Sequence, residues 1–153
     1  MNWVKTQNYE LLTEYMLKLM PTMNKRFFRD DEVFKSEELF PSHIQILLVL
    51  ANHKQLTMSQ ISRQINVINS NLTPLVDKLI KLGYLKRQPY KKDRRVVHIS
   101  LTNSGKTFVE KHRKYVETLL EEKLNTMPEE KVTELVEHLK AVYDTVIECL
   151  GEK

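Results

Sequence analysis

The chain has 153 residues, 41% of them hydrophobic and 29% charged, with a formal charge of +4 and a pI near 9.1. That length and composition suit one folded unit with its own core, and a modest positive excess points to an anionic partner only where the cations cluster. Cys149 is the sole cysteine, which excludes an internal disulfide and a cysteine-based zinc knuckle, and no apolar run approaches the roughly 20 residues that span a bilayer.

With three glycines and five prolines, most of the chain is free of breakers, and long helices are the natural expectation. The opening MNWVKTQNYELL lacks the charged-then-apolar order of a secretory leader, so a cytoplasmic protein without a membrane partner is expected. From Tyr9 to Phe28 the residues Leu12, Tyr15, Met16, Leu19, Met23 and Phe27 recur at three and four, which predicts a helix that buries one stripe and kinks at Pro21. After the charged connection DDEVFKSEE, Pro41-Ser42-His43 predicts a second helix with Ile44, Leu47, Leu48 and Ala51 as apolar positions, stopping near Asn52-His53.

The stretch LTMSQISRQINVINSNLTPLVDKLIKLGYL divides into two short helical patterns joined by a polar turn. Thr57 or Ser59 can cap the first, which turns Ile61 and Ile65 inward, and the asparagines between Asn66 and Asn69 tolerate turn geometry. Asn69, Ser70 or Asn71 can cap the second, whose stripe is Leu72, Leu75, Val76, Leu79 and Leu82, and Gly83 stands where a helix end favours a left-handed residue. Pro74 lacks an amide hydrogen and is cheap only in a first turn, which places the helix start near Asn69 to Asn71. Two short helices with a tight turn are a helix-turn-helix candidate. Tyr84 to Gln88 and Val96 to Leu101 then read as the strands of a hairpin, with Val97, Ile99 and Leu101 facing inward and the charged knot of Lys91, Lys92, Asp93, Arg94 and Arg95 at its tip.

Thr102 or Ser104 can cap a further helix carrying Phe108, Val109, His112, Tyr115, Val116, Leu119, Leu120 and Leu124. Met127-Pro128-Glu129-Glu130 restarts a last one through Val132, Leu135, Val136, Leu139, Val142, Tyr143, Val146 and Ile147. These stripes, with that of the first helix, exceed what a compact helix-turn-helix needs to cover, and a second copy of the chain would bury the surplus most simply.

In the order helix-turn-helix, basic-tipped hairpin, long helices, the chain resembles the MarR family of bacterial transcription regulators. The carriers are SHIQILLVL, LTMSQIS, LTPLVDKLIKLGYLKR and, most specific, DRRVVHISLTNSG, in which Asp93, Arg95, Leu101, Thr102 and Gly105 match the family's Asp-x-Arg, strand and Leu-Thr-x-x-Gly. The resemblance implies a mainly α fold with a small antiparallel β-wing, a winged helix-turn-helix with long N- and C-terminal dimerisation helices. It also implies a single domain over residues 1–153, with residues 41–101 as the DNA-binding lobe and residues 1–30 and 104–153 as the helical dimerisation region. A homodimer, a double-stranded DNA operator and a small-molecule effector are its expected partners.

A recognition helix turns its N-terminal residues toward base edges, here Asn69, Ser70, Asn71 and Thr73, and Asn can bond adenine in a bidentate way. Lys78, Lys81, Lys86, Arg87, Lys91, Lys92, Arg94 and Arg95 gather positive charge beside them, against Asp77 and Asp93, whereas the region after Thr102 holds more Glu than Lys. Arg95 is the expected minor-groove side chain, with Asp93 resembling the family's acidic partner that orients it and Arg94 able to share the role.

Other readings are weaker. LTPL is similar to the peroxide-sensing branch of the family, but no cysteine precedes Cys149, and Cys149 has Glu148 and Glu152 as neighbours rather than the cations that activate a thiol. The five histidines lack metal-ligand spacing, so neither metal nor cofactor is expected; His112 resembles a position used by zinc-sensing relatives, without the accompanying histidines. Met16, Met20 and Met23 with Tyr15 and Phe27 suit core or dimer packing better than a ligand pocket. No Ser-His-Asp order, glycine-rich phosphate loop or paired carboxylates support an enzyme. The remaining alternative is a helical interaction module that uses its basic hairpin on a protein or an anionic surface.

Overall fold

The computed structural model describes residues 3–28, 38–89 and 97–150, and within them the side chains of 7–23, 38–89 and 97–149. Helix α1 spans Trp3–Phe28, α2 Pro41–Ala51, α3 Met58–Ile65, α4 Asn69–Lys81, α5 Asn103–Leu124 and α6 Glu129–Leu150. The strands are β1 Leu56–Thr57, β2 Leu85–Pro89 and β3 Val97–Leu101. Two compact units divide the chain, Met1–Tyr115 and Val116–Lys153.

The core of the first unit lies among α2, α3, α4, the sheet and the first turns of α5. Ile44, Ile46, Leu47 and Leu50 of α2, Ile61 of α3, Leu72, Val76 and Leu79 of α4 and Ile99 of β3 are all buried to 1% exposure or less. Helix α2 is therefore buried on more sides than a single stripe requires: Ile46 and Leu50 join the expected positions, while Leu48 is half-buried and Ala51 exposed. Each fully buried aliphatic side chain contributes about 1.5–3 kcal/mol, so this set is the main source of the lobe's cohesion.

The sheet has three strands rather than the two of a hairpin, in the order β1-β3-β2. Leu56 pairs with Ile99 and Thr57 with His98, two residues too few to leave a sequence signal. As the central strand, β3 has Ser100 buried along with Ile99, whereas Val97, expected inside, is 39% exposed because it lies at the far end of the hairpin opposite Pro89. Pro89 is tolerated there because β2 is an edge strand with no further ladder to donate to.

Helix α1 continues through Pro21, and every described side chain from residue 7 to residue 23 is exposed. The expected burial of its stripe is not found within the chain: Leu11, Leu12, Tyr15, Met16, Leu17, Leu19 and Met20 lie around the helix rather than along one line. In the second unit, the Pro128 carbonyl accepts the amides of Lys131 at 2.9 Å and Val132 at 3.2 Å, and Glu129 and Glu130 place negative charge at the positive end of α6. The apolar residues Val136, Leu139, Val142 and Tyr143 of that helix are exposed as well.

Candidate nucleic-acid interface

Thr57 starts the motif. Its Oγ1 accepts the Gln60 amide at 3.3 Å, and its own amide donates to Gln60 Oε1 at 2.8 Å, a reciprocal capping box that fixes where α3 begins. The helix stops at Asn66, whose φ of 52° and ψ of 44° are left-handed, a conformation Asn adopts more readily than most side chains. Ser62 then clamps the turn, its carbonyl accepting the Val67 amide at 3.1 Å and its hydroxyl donating to the Val67 carbonyl at 2.6 Å.

Helix α4 begins at Asn69, inside the expected range although this leaves Pro74 beyond the first turn, and its cap is Ile68, which has extended backbone and no side-chain cap bond. Asn69, Ser70 and Asn71 are the first residues inside the helix, with the Ile68 carbonyl accepting the amides of Asn71 and Leu72 at 3.0 and 3.1 Å. Their side chains are thereby released from capping. Pro74 is the sixth helical residue, past the first turn, and the bond it omits is the one to the Ser70 carbonyl. Ser70 is exposed, so water can satisfy that carbonyl.

At 100° per residue, burial of Leu72, Val76 and Leu79 turns Ser70, Pro74, Asp77 and Lys81 directly outward. Asn69 and Thr73 form one shoulder of that row and Asn71 the other, and all three are exposed. Thr73 donates its hydroxyl to the Asn69 carbonyl at 3.0 Å and keeps acceptor capacity on Oγ1. The helix ends in a Schellman motif: Gly83, at φ +79°, donates to Ile80 and Tyr84 donates to Leu79, both at 2.9 Å.

The cations separate into different roles. Arg87 Nη2 lies 2.6 Å from Asp77 Oδ1, tying β2 to α4 and neutralising the one acid on the outward row. Lys78 donates to the Glu38 carbonyl at 2.7 Å. Strand alternation puts Lys86 on the sheet face opposite Arg87. Lys91, Lys92, Asp93, Arg94 and Arg95 fall outside the described residues.

His43 holds the N-terminus of α2. Its Nδ1 accepts the Phe40 amide at 3.0 Å, its ring stacks on Phe40 at 5.8 Å, and it is 2% exposed. Burial, and then the nearby Lys78 charge, push its pKa below 6.5. The base of the wing is held by Thr102, whose hydroxyl donates to the Gly83 carbonyl at 2.6 Å and accepts the Gly105 amide at 3.0 Å, capping α5. A Cβ on Gly105 would collide with the Tyr84 carbonyl oxygen, so the spacing Leu-Thr-x-x-Gly has a steric cause.

The comparison with known proteins agrees with this geometry. A family model described as MarR family matches residues 39–97. The helix-turn-helix transcriptional regulator PapX of Escherichia coli is 30% identical over 110 residues, covering 70% of this chain and 67% of PapX. The chain belongs to the MarR family. Its winged helix-turn-helix fold is that of MarR regulators, and its class is that of transcription regulators. SarZ of Staphylococcus haemolyticus, another such regulator, is 31% identical over 71 residues, 46% of this chain and about half of SarZ, at 48%. Streptococcus pneumoniae FabT, solved in complex with DNA, superposes with a TM-score of 0.65 at 22% identity, covering 92% of this chain and 99% of FabT. Among the described residues no MarR-like helix here is long and apolar enough to cross a membrane.

Proposed function

We propose that this chain is a sequence-specific DNA-binding regulator in the cytoplasm, acting as a homodimer on a near-palindromic operator and repressing by occlusion. The observation that carries the reading is the exposed N-terminal end of α4, where Asn69, Ser70, Asn71 and Thr73 stand clear of the core while Leu72 and Val76 anchor the helix beneath them. Asn71 and Asn69 suit adenine edges, Ser70 and Thr73 suit several bases, and Pro74 in the outward row suits a thymine methyl. Lys78, Lys91, Lys92 and Arg94 are assigned to phosphates, and Arg95, oriented by Asp93, to the minor groove. Residues 41–101 would serve as the DNA-binding lobe and residues 1–30 and 104–153 as the dimerisation region of one domain. Its work is binding, without turnover of a substrate.

An effector acts only through differential affinity, binding better to the form whose two lobes cannot span adjacent grooves. Selection from random duplexes, followed by anisotropy titrations, tests the whole reading. Two half-sites about 10 base pairs apart are expected, with affinity falling steeply as salt rises. Asn71→Ala should relax base preference and cost about 1–3 kcal/mol, and Arg95→Ala should weaken binding most at A·T-rich flanks. Recovery of no preferred sequence would sink the proposal and leave the basic hairpin as a contact for a protein or anionic surface.

A further inference from the structure

On the sheet face opposite Arg87 the first unit carries a cleft of about 580 Å³, lined by the end of α2, the connection to β1, the outer residues of β2 and β3, and the first turns of α5. Its ionisable lining is Lys54, Lys86 and Lys106 with His53, against the single carboxylate of Glu110. Among the described residues none of the three lysines forms an ion pair, whereas Lys18, Lys78, Lys131 and Lys140 elsewhere do. Ser100 also lines the cleft; it is 7% exposed, and its Oγ has no hydrogen-bond partner. A buried hydroxyl without a partner is rare, because it forgoes hydration without compensation.

We propose that this cleft binds the phosphate group of a small phosphomonoester. Three ammonium groups against one carboxylate leave the lysine and glutamate lining two charges positive, which matches a phosphate dianion and exceeds the single charge of a nucleic-acid phosphodiester. Lysine serves phosphate as a point charge, and the Ser100 hydroxyl, buried in the wall of the cleft, is a donor that its own chain leaves unused and that a bound phosphate would reach through a small shift of the wall. The volume lies within the range of small-ligand sites and admits a body the size of a sugar beside the phosphate. The site stands apart from α4, so failure of the DNA reading would leave it untouched.

The test is titration calorimetry of the full chain with glucose 6-phosphate at constant ionic strength, above the second phosphate pKa of about 6. Saturable binding at one site per chain is expected, with dimethyl phosphate, a monoanionic diester, at least tenfold weaker (about 1.4 kcal/mol). Lys54→Gln combined with Lys106→Gln should weaken binding about tenfold or more. Ser100→Ala, which removes a hydroxyl with no partner and should leave the fold intact by circular dichroism, should weaken it about fivefold. Lys18→Gln with Lys140→Gln should change nothing. Absence of binding, equal affinity for dimethyl phosphate, or equal loss in the Lys18 and Lys140 variant would each overturn the proposal. So would a loss of duplex affinity in the Lys54 and Lys106 variant as large as its loss for the ester, since those lysines would then belong to the DNA backbone.

Discussion

Gly105→Ala tests whether the base of the wing is set by close approach of backbone. A Cβ at this position would lie inside contact distance of the Tyr84 carbonyl oxygen and only 3.0 Å from both the Tyr84 carbonyl carbon and Leu101 Cδ2, against about 3.5 Å for an ordinary carbon contact. Leu101 could shift a methyl, but the Tyr84 carbonyl accepts the Thr102 amide at 3.0 Å, and the Thr102 hydroxyl is tied to the adjoining Gly83 carbonyl at 2.6 Å, so moving it opens the junction of α4, β2 and α5 together. Overpacking typically costs about 1–3 kcal/mol, and a rigid backbone neighbour places this case at the upper end. At about 2–4 °C per kcal/mol for a chain of this size, thermal unfolding followed by circular dichroism at fixed protein concentration should fall by about 6–12 °C. Gly83→Ala separates space from conformation. Nothing lies within 4 Å of its added Cβ, and only the φ of +79° opposes it, for about 1–2 kcal/mol. If Gly105→Ala melted within about 2 °C of the parent, or lower stability appeared only in Gly83→Ala, the close-approach argument would be refuted.

Three further outcomes follow from single contacts. His43 has its pKa lowered by burial and by Lys78, so its contribution to stability is complete above 6.5 and is lost as pH falls through 6.5 toward the folded value; urea titrations across that range should show a decline that His43→Asn reduces, and an unchanged slope would contradict it. The Asp77 and Arg87 pair has side chains 50% and 46% exposed, so a double-mutant cycle with Asp77→Asn and Arg87→Gln should give a coupling of only about 0.2–1 kcal/mol. Thr57→Ala removes the capping box of α3 and should cost about 0.5–2 kcal/mol in chemical denaturation; an unchanged midpoint would show that Thr57 is passive.

Legibility in the sequence followed the range of the forces involved. Local chemistry was read well: Gly83 does adopt positive φ, Thr57 does cap α3, and Ile61, Ile65, Leu72, Val76 and Leu79 are inside. What failed depended on partners distant in the chain. Strand β1 is invisible because it exists only through its pairing with β3, and Val97 is exposed because the sheet leaves the helices before reaching it. The assignment of caps to Asn69, Ser70 or Asn71 failed because Ile68 ends the turn without a side-chain bond, a choice set by the clamp from Ser62 to Val67. At the candidate interface the exposed polar row was legible from periodicity. The ion pair of Arg87 with Asp77 was not, since ten residues and a helix end separate the two in sequence.

The two kinds of surface in this chain obey opposite rules, and that contrast bears on how it works. Among the described residues from α2 to β3 most aliphatic side chains are buried or half-buried, Ile68 and Val97 being exposed, and the first turns of α5 close the same core with Phe108 and Val109. Helices α1 and α6 do the reverse, with Tyr15 66%, Leu17 70%, Val136 61% and Tyr143 65% exposed. A monomer rarely leaves contiguous apolar patches of more than a few hundred Å² uncovered, and each such side chain stands to gain about 1.5–3 kcal/mol on burial. A second copy of the chain would supply that cover symmetrically, as an isologous interface requires. Folding of the terminal helices and association would then be one equilibrium, with a melting temperature that rises with protein concentration. In such a dimer the spacing between two recognition helices would be set by apolar packing outside the lobe, and a ligand that altered that packing would change the reach of the pair while leaving α4 itself intact.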